Sequence, residues 1–189
     1  MERPGVAPNV ERDPILEAYH LWNDQGWEDC AAGCTAVTSL MRVHQMMTRR
    51  ADQILAPIDL TFARYELLVR LYFREGSLPL SHLGKALQIH QTSITSLVDR
   101  LEKQGLIKRT PHPTDRRSTM AQMTPAGRAL TGKAINLLNA EFFRDLGLSD
   151  REAHLLIGLL MKMRRSWDDI KNPDGWEPFE GGLDTPPGG

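Results

Sequence analysis

The stretch Leu80–Met123, LSHLGKALQIHQTSITSLVDRLEKQGLIKRTPHPTDRRSTMAQM, decides the fold. Its first part predicts a helix with Ser81 as N-cap and Leu83, Ala86 and Leu87 as the apolar side. A short link through Gln88 and Ile89 leads to a second helix. There Ile94, Leu97, Val98 and Leu101 fall at i, i+3, i+4 and i+7, so one stripe is buried. Thr92, Ser96, Asp99 and Lys103 face the other way, with Thr95 and Arg100 on the flanks, and Gly105 ends the helix as its C′ residue. Leu106–Arg109 and Ser118–Met123 predict two strands. Between them lies TPHPTDRR, where Pro111 and Pro113 resist helix and favour a protruding loop. Two helices followed by a hairpin make a helix-turn-helix with a β-wing.

The chemistry of this stretch suits a polyanion. Gln91, Thr92, Ser93, Thr95 and Ser96 crowd the N-terminal half of the second helix, which predicts short polar groups reading base edges or phosphates. Arg100, Lys103 and Arg109 are candidates for holding the phosphate backbone. Arg116 and Arg117 close the loop and can enter a minor groove, where negative potential concentrates. Asp115 would repel phosphate, so its expected role is to orient Arg117 through a charge-assisted hydrogen bond. The whole chain carries a formal charge of −1, yet residues 85–117 hold seven Lys or Arg against three acids, a local +4. Phosphate attraction depends on local field, so a basic patch on a near-neutral protein suffices; a solvated charged surface is the bland alternative.

These residues resemble the winged helix-turn-helix of the MarR family of bacterial transcriptional regulators. The likeness rests on the Leu83–Leu87 helix, the run QTSITSLVDRLEKQGLIKR, the wing PTDRRST and the following Thr124-Pro125-Ala126-Gly127. It extends over about residues 36–167. One departure is the wing, which carries two prolines and His112. The resemblance implies a homodimer on a pseudo-palindromic double-stranded DNA operator, acting as a repressor and often released by a small ligand or by oxidation; a small aromatic effector is a candidate here.

Outside this core the expected organisation is mainly α. Residues 1–28 form an N-terminal extension, polar up to Arg12. In it Asp13-Pro14 starts a short helix carrying Ile15, Ala18, Tyr19 and Trp22, and Gly26 stops it. With Trp27 it offers an aromatic face suited to a dimer contact or to packing within one subunit. Residues 29–170 form the MarR-like domain. Within it the winged core spans about 61–123, flanked by dimerisation helices at 29–56 and 124–170. The first of these carries Val37, Leu40, Met41, His44, Met47, Ala51, Ile54 and Leu55 on one side. Thr61 caps a helix to Arg74 whose buried face is Phe62, Tyr65, Leu68, Val69 and Tyr72. Leu78-Pro79-Leu80 is expected to add a strand to the wing sheet. Leu130, Ala134, Leu137, Leu138, Phe142 and Leu146 carry a helix from Thr124-Pro125 to Gly147. Ser149 and Glu152 form a capping box for a last helix to Ile170, with Leu155, Leu156, Leu159, Leu160, Met163 and Trp167 at core spacing. Asn172-Pro173 ends it. Residues 171–189 are an irregular tail rich in Gly and Pro, with Trp176 and Phe179 as candidates for docking on the body.

Other chemistry is thin. Cys30 and Cys34 lie four apart, with no further ligands spaced for zinc. On one regular helix they are close but poorly angled for a disulfide, so packing thiols are the default; the resemblance, to a family in which some members sense oxidants through a cysteine near the first long helix, implies a redox-sensing pair as the alternative. In the family, effectors bind between the dimer helices and the DNA-binding lobe. By resemblance Met41, His44, Tyr65 and Leu68 line that crevice; ordinary core packing is the alternative. No phosphate loop, nucleophile elbow or zinc-protease signature is present, so neither catalysis nor a cofactor is expected. Asp99 and Glu102 read as surface or ion-pair charge. With no signal peptide, no membrane-length apolar run and only two cysteines, the expected location is the cytoplasm. The rival from another class is a winged-helix module for protein contacts, against which the polar, cationic helix face argues.

Overall fold

The computed structural model describes residues 13–74, 76–115 and 118–170. The chain divides after Phe142 into two units. The described part of the first unit runs α1 (Pro14–Asp24), α2 (Glu28–Leu55), a 3-10 turn (Ala56–Ile58) and α3 (Phe62–Tyr72). It continues through β1 (Ser77–Pro79), α4 (Leu80–Leu87), α5 (Gln91–Lys103), β2 (Ile107–Pro111), β3 (Thr119–Met123) and α6 (Pro125–Leu138). A π-helical turn, Asn139–Phe143, follows, and α7 (Asp150–Ser166) is the helix of the second unit. The fold is mostly helical with one small antiparallel sheet, as the sequence predicts.

Asp13 caps α1 by accepting the Ile15 N–H at 2.9 Å, with Pro14 in the first turn, and Gly26 leaves the helix at φ 78°. α1 folds back on α2, where the rings of Trp22 and Trp27 meet edge to face at 5.4 Å. At 1.5 Å per residue α2 is about 42 Å long. Only Ala31, Ala51, Ile54 and Leu55 of it are buried. Val37, Leu40, Met41 and Met47, which share the predicted apolar side, stay exposed, as do Val43 and Met46. The apolar stripe therefore outruns the core of the single chain.

Pro57 ends α2 within the 3-10 turn, and Asp59 turns the chain at φ 53°. Two caps then start α3: Thr61 Oγ1 accepts the Arg64 N–H at 3.4 Å, and Asp52 of α2 accepts the Phe62 N–H at 2.6 Å. α3 stops at Tyr72 rather than Arg74, and buries Tyr65, Leu67, Leu68 and Leu71. Phe62, Val69 and Tyr72, expected inside, are half-buried, and Leu67 and Leu71 are buried in addition.

β1 pairs with β3 and β3 with β2, giving the order β1-β3-β2 with Leu78 and Arg109 both opposite Ala121. That pairing sets where α4 begins. Pro79 leaves β1 in extended geometry directly into the helix, so Ser81 sits in the first turn and does not cap it. β2 reaches Pro111, two residues beyond the expected end. His112 N–H donates to the Ser118 carbonyl at 3.2 Å, so by strand alternation the missing Pro111 donor lies on the outer side of an edge strand.

Thr124 caps α6 through the Gly127 N–H at 3.0 Å. Ala134, Leu138 and Phe142 join the core, while the α-helix yields to the π turn well before Gly147. In the second unit the Ser149–Glu152 capping box forms as predicted, and the helix ends at Ser166 instead of Ile170. None of its residues is buried, Leu155, Leu156, Leu159, Leu160 and Met163 at core spacing included, and Trp167, just past its end, is exposed. The tail readings, including Trp176, Phe179 and the Asn172-Pro173 stop, lie outside the described residues.

Candidate nucleic-acid interface

α5 starts from an unexpected cap. His90 Nδ1 accepts the Thr92 N–H at 3.4 Å and lies 3.0 Å from Thr92 Oγ1. Ile94, Val98 and Leu101 are fully buried, which locks the helix roll. Thr92, Ser93, Thr95, Ser96, Arg100 and Lys103 are exposed as a consequence. The structure thus brings the predicted hydroxyls to one outward surface, with the two cations toward the C-terminal end. The Gln91 side chain lies outside the described atoms.

Arg109 sits differently from its predicted place. Its guanidinium donates to Glu102 Oε2 and Asp99 Oδ1, both at 2.5 Å, and to the Thr95 carbonyl at 3.4 Å. Its backbone N–H donates to Glu102 Oε1 at 2.9 Å. One carboxylate therefore grips both main chain and side chain of β2. Arg109's backbone N–H and then its guanidinium hold the Glu102 carboxyl below the usual range. Burial alone would lower the Arg109 pKa, but the hydrogen bonds it donates to Asp99 and Glu102 outweigh it and the pKa ends up raised. Arg109 is thus neutralised inside the protein and braces the wing against α5. The two acids of α5 are spent on that brace, and Lys85, Arg100, Lys103 and Lys108 remain exposed with no ion pair among the described residues.

The wing turn is built around His112. Its Nδ1 accepts the Thr114 N–H at 3.3 Å and the Asp115 N–H at 3.1 Å, and Ser118 N–H donates to the Asp115 carbonyl at 3.0 Å. Arg116 and Arg117 lie outside the described residues, and so does the expected Asp115–Arg117 contact.

The four residues proposed for an effector differ in exposure. Tyr65 and Leu68 are core, and Met41 is 60% exposed. His44 lines an open recess of about 600 Å³ with Gln45, Thr48, Arg49, Asp52, Gln53 and Ala56, none of which was anticipated. Near it, burial raises the Glu66 pKa, with Arg70 and His44 pulling the other way. Burial also raises Tyr65, with Glu66 adding to it. Cys30 is exposed and Cys34 half-buried, both as free thiols on α2. Among the described residues no cluster suits a metal ion, and no helix is long and apolar enough to cross a membrane.

Sequence reasoning missed His90, His112 and the Arg109 brace. A signal for the brace existed: acids at positions 99 and 102 share a helix face, and the turn at Gly105 folds the next strand back along it.

A family model described as MarR family matches residues 60–119. The transcriptional regulator PecS of Dickeya dadantii (strain 3937) is 31% identical over 123 residues, 64% of this chain and 74% of that protein. Several other curated relatives are matched over only 43–61% of their own length. The crystal structure of a MarR family transcriptional regulator from Streptomyces coelicolor is 35% identical, with a TM-score of 0.68 over 75% of this chain and 99% of that one. A mutant MarR from E. coli, complexed with operator DNA, is 26% identical, with a TM-score of 0.63 over 67% of this chain and 91% of that one.

Proposed function

The chain belongs to the MarR family, and from that premise we propose that it works as a cytoplasmic homodimer on a pseudo-palindromic operator, repressing until a small ligand releases it. It is a DNA-binding transcriptional regulator. In the proposed complex α5 enters the major groove, where Gln91, Thr92, Ser93, Thr95 and Ser96 meet bases or phosphates. Arg100 and Lys103 hold the backbone. Arg109 is reassigned from phosphate contact to bracing. Arg116 and Arg117 probe the minor groove, with Asp115 orienting Arg117.

The observation that carries this reading is the roll of α5. Burial of Ile94, Val98 and Leu101 turns a hydroxyl-rich, cationic surface outward to solvent. Dimerisation is supported by the exposed apolar residues of α1, α2 and the link between them, among them Leu16, Leu21, Trp27, Leu40 and Met41. Two lobes about 34 Å apart would meet successive turns of one duplex face. For the effector, the recess beside His44 and Arg49 offers a cation to an aromatic acid.

Selection of duplexes from random DNA, followed by a salt series, tests the core of this. Phosphate neutralisation requires affinity to fall steeply, on the order of 10³-fold or more between 50 and 200 mM salt for six or more contacts. Affinity indifferent to salt would remove the phosphate contacts from the reading. Repeating the titration with a panel of aromatic acids tests release.

A further inference from the structure

Arg64 is a charge inside the fold, 9% exposed, that the DNA-contacting surface does not use. Its Nη1 donates to Gln104 Oε1 at 2.8 Å, its Nε to Thr61 Oγ1 at 3.3 Å, and its Nη2 lies 3.7 Å from Asp59 Oδ1. Gln104 Nε2 donates in turn to Asp59, to the carbonyl at 3.0 Å and to Oδ2 at 2.7 Å. Gln104 is the C-cap of α5, Arg64 lies in the first turn of α3, and Asp59 is the left-handed residue by which the chain leaves α2. One bracket thus joins the far end of the DNA-reading helix to the turn that follows the long helix.

We propose that Gln104 is a positioning residue: held by Arg64 and Asp59, it fixes the tilt of α5 against α2 and thereby the half-site spacing that the dimer accepts. This rests on the DNA-binding, dimeric reading above. The site needs an amide. The group must accept from a guanidinium on one side and donate to a carbonyl and a carboxylate on the other. Glutamate would set two carboxylates together, and an apolar residue would leave Arg64 short of an acceptor.

The bracket is also well placed as a pivot. The hydroxyls near the start of α5 lie about 18 Å from Gln104 along the helix. A tilt of roughly 5° at the bracket moves them about 1.6 Å, and twice that in a symmetric dimer. That is close to the ~3.4 Å rise of one base-pair step.

The test uses full-length protein and duplexes selected by the wild type, rebuilt with half-sites one base pair closer or further apart, plus a duplex with a single half-site. For Gln104→Met the expected result is at least a tenfold loss on the selected spacing and no more than threefold on the altered spacings. Half-site affinity should stay within twofold. Gln104→Glu keeps the acceptor for Arg64 and loses the donor to Asp59. It should give the same flattening to a smaller degree, and serves if the first variant does not fold. Equal loss on all duplexes would make Gln104 a matter of general stability and overturn the proposal. An unchanged spacing preference overturns it too. A wild type that selects no duplex at all overturns the DNA-binding reading itself, and the inference falls with it.

Discussion

Gly127→Ala should destabilise the fold, although the substitution ordinarily favours a helix. In an open helical position alanine gains about 1 kcal/mol over glycine. At Gly127 a Cβ would stand 2.0 Å from the Leu106 carbonyl oxygen and 2.9 Å from its carbon, and both are backbone atoms that cannot rotate aside. Forcing them apart costs about 1–3 kcal/mol by analogy with overpacked cores. The same carbonyl accepts the Thr124 N–H at 3.0 Å and Thr124 Oγ1 at 3.1 Å, so displacing it weakens the cap of α6 as well. Each bond contributes about 1 kcal/mol. The penalties outweigh the propensity gain, and the expected net loss is about 2–4 kcal/mol. Urea unfolding followed by circular dichroism reads this as a lower midpoint with an unchanged slope. Gly33→Ala in α2, where an added Cβ meets nothing within 4 Å, is the control and should gain up to about 1 kcal/mol. Leu106 leads into β2, so Gly127→Ala should also weaken DNA binding through the wing. A Gly127→Ala protein as stable as the wild type would refute the seating of α6 on that carbonyl.

Other outcomes follow from the brace, the wing and the long helix. Glu102 has a lowered folded pKa, so its contribution to stability is whole above the ordinary glutamate value of about 4.3 and fades as pH falls through the folded one. Acid unfolding of Glu102→Gln should therefore begin from lower stability at neutral pH and show a shallower decline below about pH 4 than the wild type; parallel curves would contradict the brace. His112→Ala removes the acceptor for two wing N–H groups, and should weaken duplex binding severalfold while the thermal midpoint stays put. Arg117→Ala should cost about 1–3 kcal/mol of operator affinity by titration, and wild-type affinity would take the wing out of the contact. Met41→Glu places a charge on the exposed stripe of α2 and should give a monomer by sedimentation.

The helix-turn-helix was legible because its signals are local and redundant. Ile94, Val98 and Leu101 sit at helical spacing, Gly105 has its positive φ of 70°, and Thr124-Pro125 starts α6 as the pattern requires. Ser81 misled because the start of α4 is fixed from a distance, by the pairing of Leu78 with Ala121, and local cap preference yields to it. Arg109 misled for a related reason. A cation beside a basic helix reads as a phosphate ligand until folding brings Asp99 and Glu102 under it. Half-exposed core positions such as Val69 and Leu97 depended on which neighbouring element covers them, and periodicity is silent on that. Met41 and His44 share a helix side with Ile54, yet the core ends before it reaches them.

That shortfall of cover along α2 bears on hydrogen exchange. Over residues 36–50 most side chains are open to solvent, so within one chain this part is held mainly by its own backbone ladder. Its amides should trade protons by local fraying well before the wing and α3 open. In the proposed dimer, dilution separates the two copies, and it should accelerate that exchange and leave the amides of Leu67 and Leu101 untouched.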